Sequence, residues 1–395
     1  MSSQAAKGMP SKEAPLARGF FGQGRLRLDF LDALRGLAAL YVVIYHMILL
    51  PQPNLQVPRW AEKFAHAGGT GVTLFFIVSA FSLYYTMPLR ERDGRLLLSF
   101  YLHRFFRIAP LFYFLIVVSM VRDYWEFGVL HSATDILLLV SFAFNLFPGE
   151  QEGFVWAGWT IGVEMVFYAF FPLIYKLVRN TGNAVAFTFA SLLAWMVLGL
   201  ALDYIVMPQE WKQSILQWST FRHFPIFAVG AVVYHLFVTC VRDRETTDGL
   251  RPMGNALLVG GIFTFAALLQ GWLPNLFGDS YYWQGVAFGL LFLGLAFAPW
   301  RVLVNSLTSY LGKISYSVYL THTTAIYFLA PVYHAIYDRS SSMTVGFLGS
   351  LLLTLIVVLP VSALTYRFIE VPGINLGKRL MKTLKAPHPE AHGQG

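Results

Sequence analysis

The chain has 395 residues, of which 56% are hydrophobic and only 13% charged, with a formal net charge of +8 at pH 7. This composition excludes a soluble globular domain and points to a polytopic helical membrane protein. The surplus Lys and Arg gather in tails and in loops beside apolar segments, the positive-inside pattern of membrane topology, so no nucleic-acid partner is expected.

Cys240 is the sole cysteine, which excludes an intrachain disulfide. No zinc spacing, glycine-rich phosphate loop or nucleophile elbow is present, so no metal and no permanently bound cofactor are expected.

Residues 1–27 are polar and carry Lys7, Lys12, Arg18, Arg25 and Arg27 without a short apolar core. They are read as a disordered cytoplasmic tail rather than a cleaved signal. The first apolar segment, 31–50, contains Arg35 and His46. Eleven steps along an α-helix advance about 16 Å and return both side chains to nearly one face. Ionisable groups at membrane depth are costly and mark function by default. The segment thus presents a fixed cation near one surface and a titratable imidazole near the other. Asp32, one turn before Arg35, is expected to pair with it.

After the second segment, 71–87, the cluster Arg90, Arg92, Arg95, Arg104 and Arg107 assigns 88–107 to the cytoplasm. Arg104 and Arg107 lie one turn apart on one helix face. Their forked donors suit the phosphates of a nucleotide-containing donor; topological anchoring is the plain alternative.

Segment 108–121 follows, and then 134–147, which is short, with Asp135 and Asn145 near its ends; it is read as a re-entrant or half-membrane helix. Loop 148–158 has Glu150 and Glu152 but no Lys or Arg and belongs outside. The segment from Trp159 then runs inward, putting Glu164 about a turn and a half below the external surface. That depth is similar to the depth of His46 and remote from Arg104 and Arg107. A carboxylate bonded to the imidazole would fix its tautomer and raise its basicity; a polar pair that only holds helices together is the alternative.

Apolar segments 184–202, 223–241, 254–271, 281–298, 314–334 and 344–366 bring the count to about ten spanning helices plus the short one, with both termini cytoplasmic. Loop 272–282, with only Asp279, belongs outside. His322 sits near the middle of its segment, as an interior contact or as helix-packing glue. His66, His131, His223 and His334 fall at or near loops and are expected to be solvated or interfacial. Trp156, Trp159 and Trp283 suit an aromatic belt, or stacking on sugar rings. Residues 374–395 are read as a basic cytoplasmic tail, with 378–395 disordered like the N-terminal one.

The motifs carry a resemblance. Leu31-Asp-Ala-Leu-Arg35 through His46 resembles the opening helix of the acyltransferase-3 family of membrane acyl-CoA-dependent O-acyltransferases, with its basic residue, ten-residue gap and histidine. The run Gly71 to Phe81, containing Ser79, resembles the family's second helix, and Arg104 with Arg107 its R-x-x-R element. Trp159-Thr-Ile-Gly-Val-Glu164 resembles the W-S-L-S-V-E block, and Leu311 to His322, containing Tyr316, together with Arg367-Phe-Ile-Glu370-Val-Pro372, the closing blocks. The order is that of the family across 28–373. Ala80, Gly158 and Thr160 depart from its usual residues but remove no ionisable group.

The resemblance implies an all-α polytopic membrane bundle with its acyltransferase domain at 28–373, standing alone in the bacterial cytoplasmic (inner) membrane. It also implies transfer of an acyl group, usually acetyl, from cytoplasmic acyl-CoA to a hydroxyl of a glycan or other envelope acceptor. His46 would be the general base, with a covalent acyl-histidine as a lesser alternative. Glu164 would orient or charge-stabilise the imidazole, Arg104 and Arg107 would bind the donor, and Arg35, grouped with His46 and Glu164 as catalytic, would bind the donor or balance charge. Trp159, Tyr316, Ser79 and His322 are possible substrate-binding or interior polar residues. Two competing readings are a proton-coupled transporter relaying through His46, Glu164 and His322, and a non-catalytic membrane partner. No duplicated block supports the transporter's inverted repeat.

Overall fold

The computed structural model describes residues 28–91, 96–241, 248–275 and 280–385, and the described residues are mostly helical with no strand. The predicted tail 1–27, and Arg92, Arg95 and Asp279, lie outside the described residues. Thirteen helices are labelled in chain order: α1 Asp29–Leu49, α2 Gly71–Glu91, α3 Leu96–Phe127, α4 Ala133–Val140, α5 Trp159–Leu177, α6 Thr181–Tyr204, α7 Gln209–Trp218, α8 Thr220–Val241, α9 Arg251–Gln270, α10 Tyr281–Phe297, α11 Ser306–Arg339, α12 Met343–Thr365 and α13 Val371–Lys385.

Eight of them, α1, α2, α3, α5, α6, α8, α9 and α12, are long and apolar enough to cross a membrane. Two more complete the predicted count of about ten. The apolar α10 has only 17 residues. The 34-residue α11 is long enough but carries a polar interior face with Ser315, Ser317, Thr321 and His322. The predicted short helix at 134–147 is the eight-residue α4, begun by a Ser132–Asp135 capping box and followed by a 3₁₀ turn at Phe144–Leu146.

The bundle is apolar on its outside as well as in its core. Its outer helices expose Leu193 and Leu200 of α6, Phe263 of α9, and Leu352 and Ile356 of α12. Inside, buried polar side chains bond between helices, as where Thr321 meets Ser362 at 3.0 Å and Tyr333 meets Thr354 at 2.7 Å. Polar groups turned inward and apolar ones turned to lipid are what a hydrocarbon solvent requires.

The closest helix pair is α1 against α11. A Cβ at Gly36 would sit 2.6 Å from the Thr308 carbonyl oxygen, and one at Gly312 would collide with the Asp32 carbonyl. Small residues at such a crossing let backbones approach. Asn305 starts α11 with a capping box, accepting from the Leu307 and Thr308 N–H groups. Gly36 and Gly312 stand in the same sequence offset, 276, as His46 and His322, so the two helices run parallel and in register. Alternation of ten spans with the first and ninth parallel gives the same orientation.

The C-terminal tail departs from its predicted disorder over 378–385. After α12 the chain makes a π turn at Tyr366–Glu370 and continues as α13. Gly373 and Gly377 bring α13 against Pro110 and Phe106 of α3, and that packing supplies the order that charge patterning does not reveal. Residues 386–395 lie outside the described residues.

Candidate active site

Three adjoining cavities run through the bundle. The first, of about 380 Å³, is lined by Asp32, Arg35, Arg104, Arg107, Lys313 and Tyr366 among others. Arg35, Ser82, Arg104 and Arg107 also line the second, a waist of about 90 Å³ that includes Ser79, Thr160, Glu164, Tyr168, Tyr316 and Tyr319. Val72 and Tyr319 in turn form part of the wall of the third, a cavity of about 630 Å³ that contains His46.

At the first end, α1, α2, α3, α5, α11 and the π turn each contribute a polar residue. Arg35 donates from Nη2 to Ser82 Oγ at 2.7 Å and stands 3.6 Å from Asp32 Oδ1, the expected pair. Arg107 Nη1 lies 3.7 Å from Glu370 Oε1. Glu370 is fully buried, and its other carboxylate oxygen accepts from Ser317 Oγ at 3.0 Å. Arg104 stacks over the Tyr168 ring, 5.5 Å from its centroid, and its Nε is buried without a hydrogen-bond partner. Tyr168 and Ser79 share a hydrogen bond of 2.8 Å. Tyr316 donates to the Ile108 carbonyl at 2.7 Å, tying α11 to α3. Arg35, Arg104, Arg107 and Lys313 set four cations against the carboxylates Asp32, Glu164 and Glu370, and the forked guanidinium donors suit phosphate.

Glu164 belongs to this cluster. It faces Ser79, Tyr168, Arg104 and Arg107, which corrects the expectation that it pairs with His46 and lies far from the arginines. The depth of Glu164, about 7.5 Å inward from Trp159, is the expected one, and the difference lies in α3. Arg104 and Arg107 sit within α3 rather than at its mouth, and so they reach the same depth.

His46 has a different partner. Its Nδ1 lies 3.0 Å from Nε2 of His322 and 3.1 Å from the Val42 carbonyl oxygen. The Nδ1 of His322 lies 3.1 Å from the Val318 carbonyl oxygen, and His322 is fully buried. Among the described residues no carboxylate takes part in this pair.

Around His46 the third cavity is aromatic and amide-rich. Trp159 packs on Trp218 at 4.7 Å between centroids and on His223 at 5.1 Å. Gln213, Gln217 and Gln284 supply amides, and Arg222, Tyr45 and Tyr281 complete much of the wall. Ala157 turns the chain into α5 with φ of 61°. Asn145 fixes the α7–α8 junction by donating to the Trp218 carbonyl at 2.8 Å and accepting from the Thr220 N–H at 2.9 Å. His223, expected near solvent, is instead buried, 2.7 Å from the Tyr281 hydroxyl through Nδ1 and without a partner at Nε2. His131 is also drawn inward, 2.8 Å from Asp123. His66 does line the third cavity.

Of the predicted residues, the structure therefore gathers Arg35, Arg104, Arg107, Glu164, Ser79 and Tyr316 at the waist, and His46 with Trp159 at the third cavity, with His322 behind His46. Glu370, Ser82, Lys313 and Tyr319 are not among the predicted site residues, and His223 is predicted only as a solvated or interfacial histidine. Glu370 stood inside the Arg367-Phe-Ile-Glu370 block, but nothing in one dimension assigned it a partner.

A family model described as an acyltransferase domain matches residues 28–367, and the chain belongs to this acyltransferase-3 family. It is 22% identical over 381 residues to a Staphylococcus aureus (strain COL) protein with a provisional O-acetyltransferase name, covering 90% of this chain and 59% of that one. It is 23% identical over 376 residues to the O-acetyltransferase OatA of Staphylococcus aureus (strain NCTC 8325), covering 87% and 57%. The chain thus spans a little under three fifths of the length of these relatives. No solved structure matches it significantly. Its described part joins an acyltransferase-family domain to eight helices long and apolar enough to cross a membrane.

Proposed function

We propose that the protein is an O-acetyltransferase that carries an acyl group from acyl-CoA to a hydroxyl of a glycan. The observation that carries this reading is the succession of cavities, with Arg35, Arg104 and Arg107 at one end and His46 at the other. The arginines take the donor's phosphates, and its thioester extends through the waist toward His46. On the other side, tryptophan and tyrosine rings beside glutamine amides suit a sugar, whose flat faces stack and whose hydroxyls need donors and acceptors.

His46 removes the proton of the acceptor hydroxyl as its oxygen attacks the thioester carbonyl. The tetrahedral intermediate collapses, breaking the C–S bond and expelling the CoA thiolate. The proton held by His46 leaves with the thiolate or passes to water, so charge and atoms balance. Glu164, Asp32 and Glu370 position the guanidiniums. The arginine end faces the cytoplasm, where acyl-CoA is found, and the His46 end faces outward across the bacterial inner membrane. A transporter relay through His46, Glu164 and His322 finds less support, because Glu164 lines the waist and not the cavity of His46.

The test is thiol release from acetyl-CoA by the purified protein with a hydroxyl acceptor, alongside acetyl-CoA binding. Saturable binding and acceptor-dependent thiol release are expected. Absence of both would remove the assignment of the donor.

A further inference from the structure

Among the described residues His322 is the one histidine that is fully buried against another imidazole, and the general-base scheme leaves it without a task. Hydrogen-bond chemistry gives it one. The Val318 carbonyl oxygen can only accept, so the Nδ1 of His322, 3.1 Å away, carries the proton. A neutral imidazole protonated at Nδ1 has a lone pair at Nε2. That lone pair faces His46 Nδ1 at 3.0 Å, so His46 Nδ1 carries a proton, shared with the Val42 carbonyl at 3.1 Å. The lone pair of His46 then stands on Nε2. Two backbone carbonyls and one imidazole thereby select a single tautomer in each ring.

From this geometry we infer that His322 is the positioning residue of the catalytic base, holding His46 in the tautomer whose Nε2 accepts a proton. The inference rests on the reading of His46 as the base. It differs from the usual arrangement, in which a carboxylate does this work. A neutral imidazole orients its partner without adding a negative charge beside it. The registered crossing of α1 and α11 supplies the geometry, since Gly36 and Gly312 fix the two helices ten residues before each histidine. The other titratable or charged groups around the pair are Tyr45 on α1, Tyr319 on α11, His66 in the segment before α2, Arg222 and His223 on α8, and Tyr281 on α10. Among the described residues no carboxylate faces either ring.

The experiment measures kcat, the KM for acetyl-CoA and the acid limb of the pH–rate profile in His322→Ala, His322→Gln and His322→Glu, with His46→Ala and the double mutant as references. His322→Ala should lower kcat about tenfold or more while leaving the KM for acetyl-CoA within about twofold. His322→Gln should recover part of the loss, because its amide oxygen accepts from Nδ1. His322→Glu should move the acid limb to higher pH, because a carboxylate stabilises the imidazolium. The double mutant should be no worse than His46→Ala, as expected of groups acting as a unit.

Near wild-type kcat in His322→Ala, with His46→Ala inactive, would overturn this inference alone. So would a folded His322→Gln that recovers nothing while His322→Glu leaves the acid limb unmoved. Full activity in His46→Ala would instead overturn the assignment of the base on which the inference depends.

Discussion

Gly36 and Gly312 meet backbone to backbone, and the offset of 276 residues between them is also the offset between His46 and His322. Two glycines therefore set the register that brings two imidazoles together about 15 Å further along the same pair of parallel helices. A crossing this close has no room for a side chain. Sequence position, helix packing and the geometry of the base are linked through one contact.

Replacing either glycine should separate the helices and the histidines together. Gly312→Ala places a methyl group against the Asp32 carbonyl, and neither backbone can yield cheaply. Overpacking of this kind costs about 1–3 kcal/mol or more. The expected result is a lower melting temperature and a fall in transfer for both Gly312→Ala and Gly36→Ala. Gly199, whose Cβ would meet nothing within 4 Å, serves as the control; Gly199→Ala should melt and react as the parent does. Equal melting and transfer in all three variants would show that the crossing is not as tight as described.

Arg104 and Arg107 should act on the donor. Losing a charge-assisted contact to a phosphate costs about 1.5–3 kcal/mol, or about ten- to a hundredfold in affinity. Arg104→Ala and Arg107→Ala should each weaken acetyl-CoA binding by that order in calorimetry. Lysine at either position should restore only part, since the fork is lost. Unchanged affinity in both alanine variants would reduce the pair to topological anchors.

Glu164→Gln separates the two possible places of this carboxylate. It faces Arg104 and Arg107, so its loss should loosen the guanidiniums and weaken acetyl-CoA binding by about three- to tenfold, an effect of about 1 kcal/mol. Since Glu164 does not bond His46, the acid limb of the pH–rate profile should stay in place. A loss of kcat with unchanged donor affinity and a shifted acid limb would assign Glu164 to the base.

Much of this site was legible in one dimension. The spacing from Arg35 to His46 on one helix face, the Arg104–Arg107 turn and the ordered blocks from Leu31 to Pro372 identified the family and the two ends of the site. Partnership was less accessible. Depth estimated from helix ends put Glu164 beside His46, because it ignored how far Arg104 and Arg107 lie inside α3. His322 and His46 are 276 residues apart, and only the α1–α11 crossing makes them neighbours. Glu370 reaches Arg107 through a π turn that charge and hydropathy do not signal. His223 looked interfacial because it begins a helix, yet Trp159 and Tyr281 cover it.

The most direct test of the central claim is acetyl transfer by the protein reconstituted in vesicles, with acetyl-CoA supplied at the arginine end and a glycan at the other, read by the mass of the glycan. The wild-type protein should acetylate the glycan in step with thiol release. His46→Ala should abolish both while it still inserts and binds acetyl-CoA, because His46 lies beyond the waist from Arg35, Arg104 and Arg107. Acetylated glycan at wild-type levels from a correctly inserted His46→Ala protein would contradict the claim.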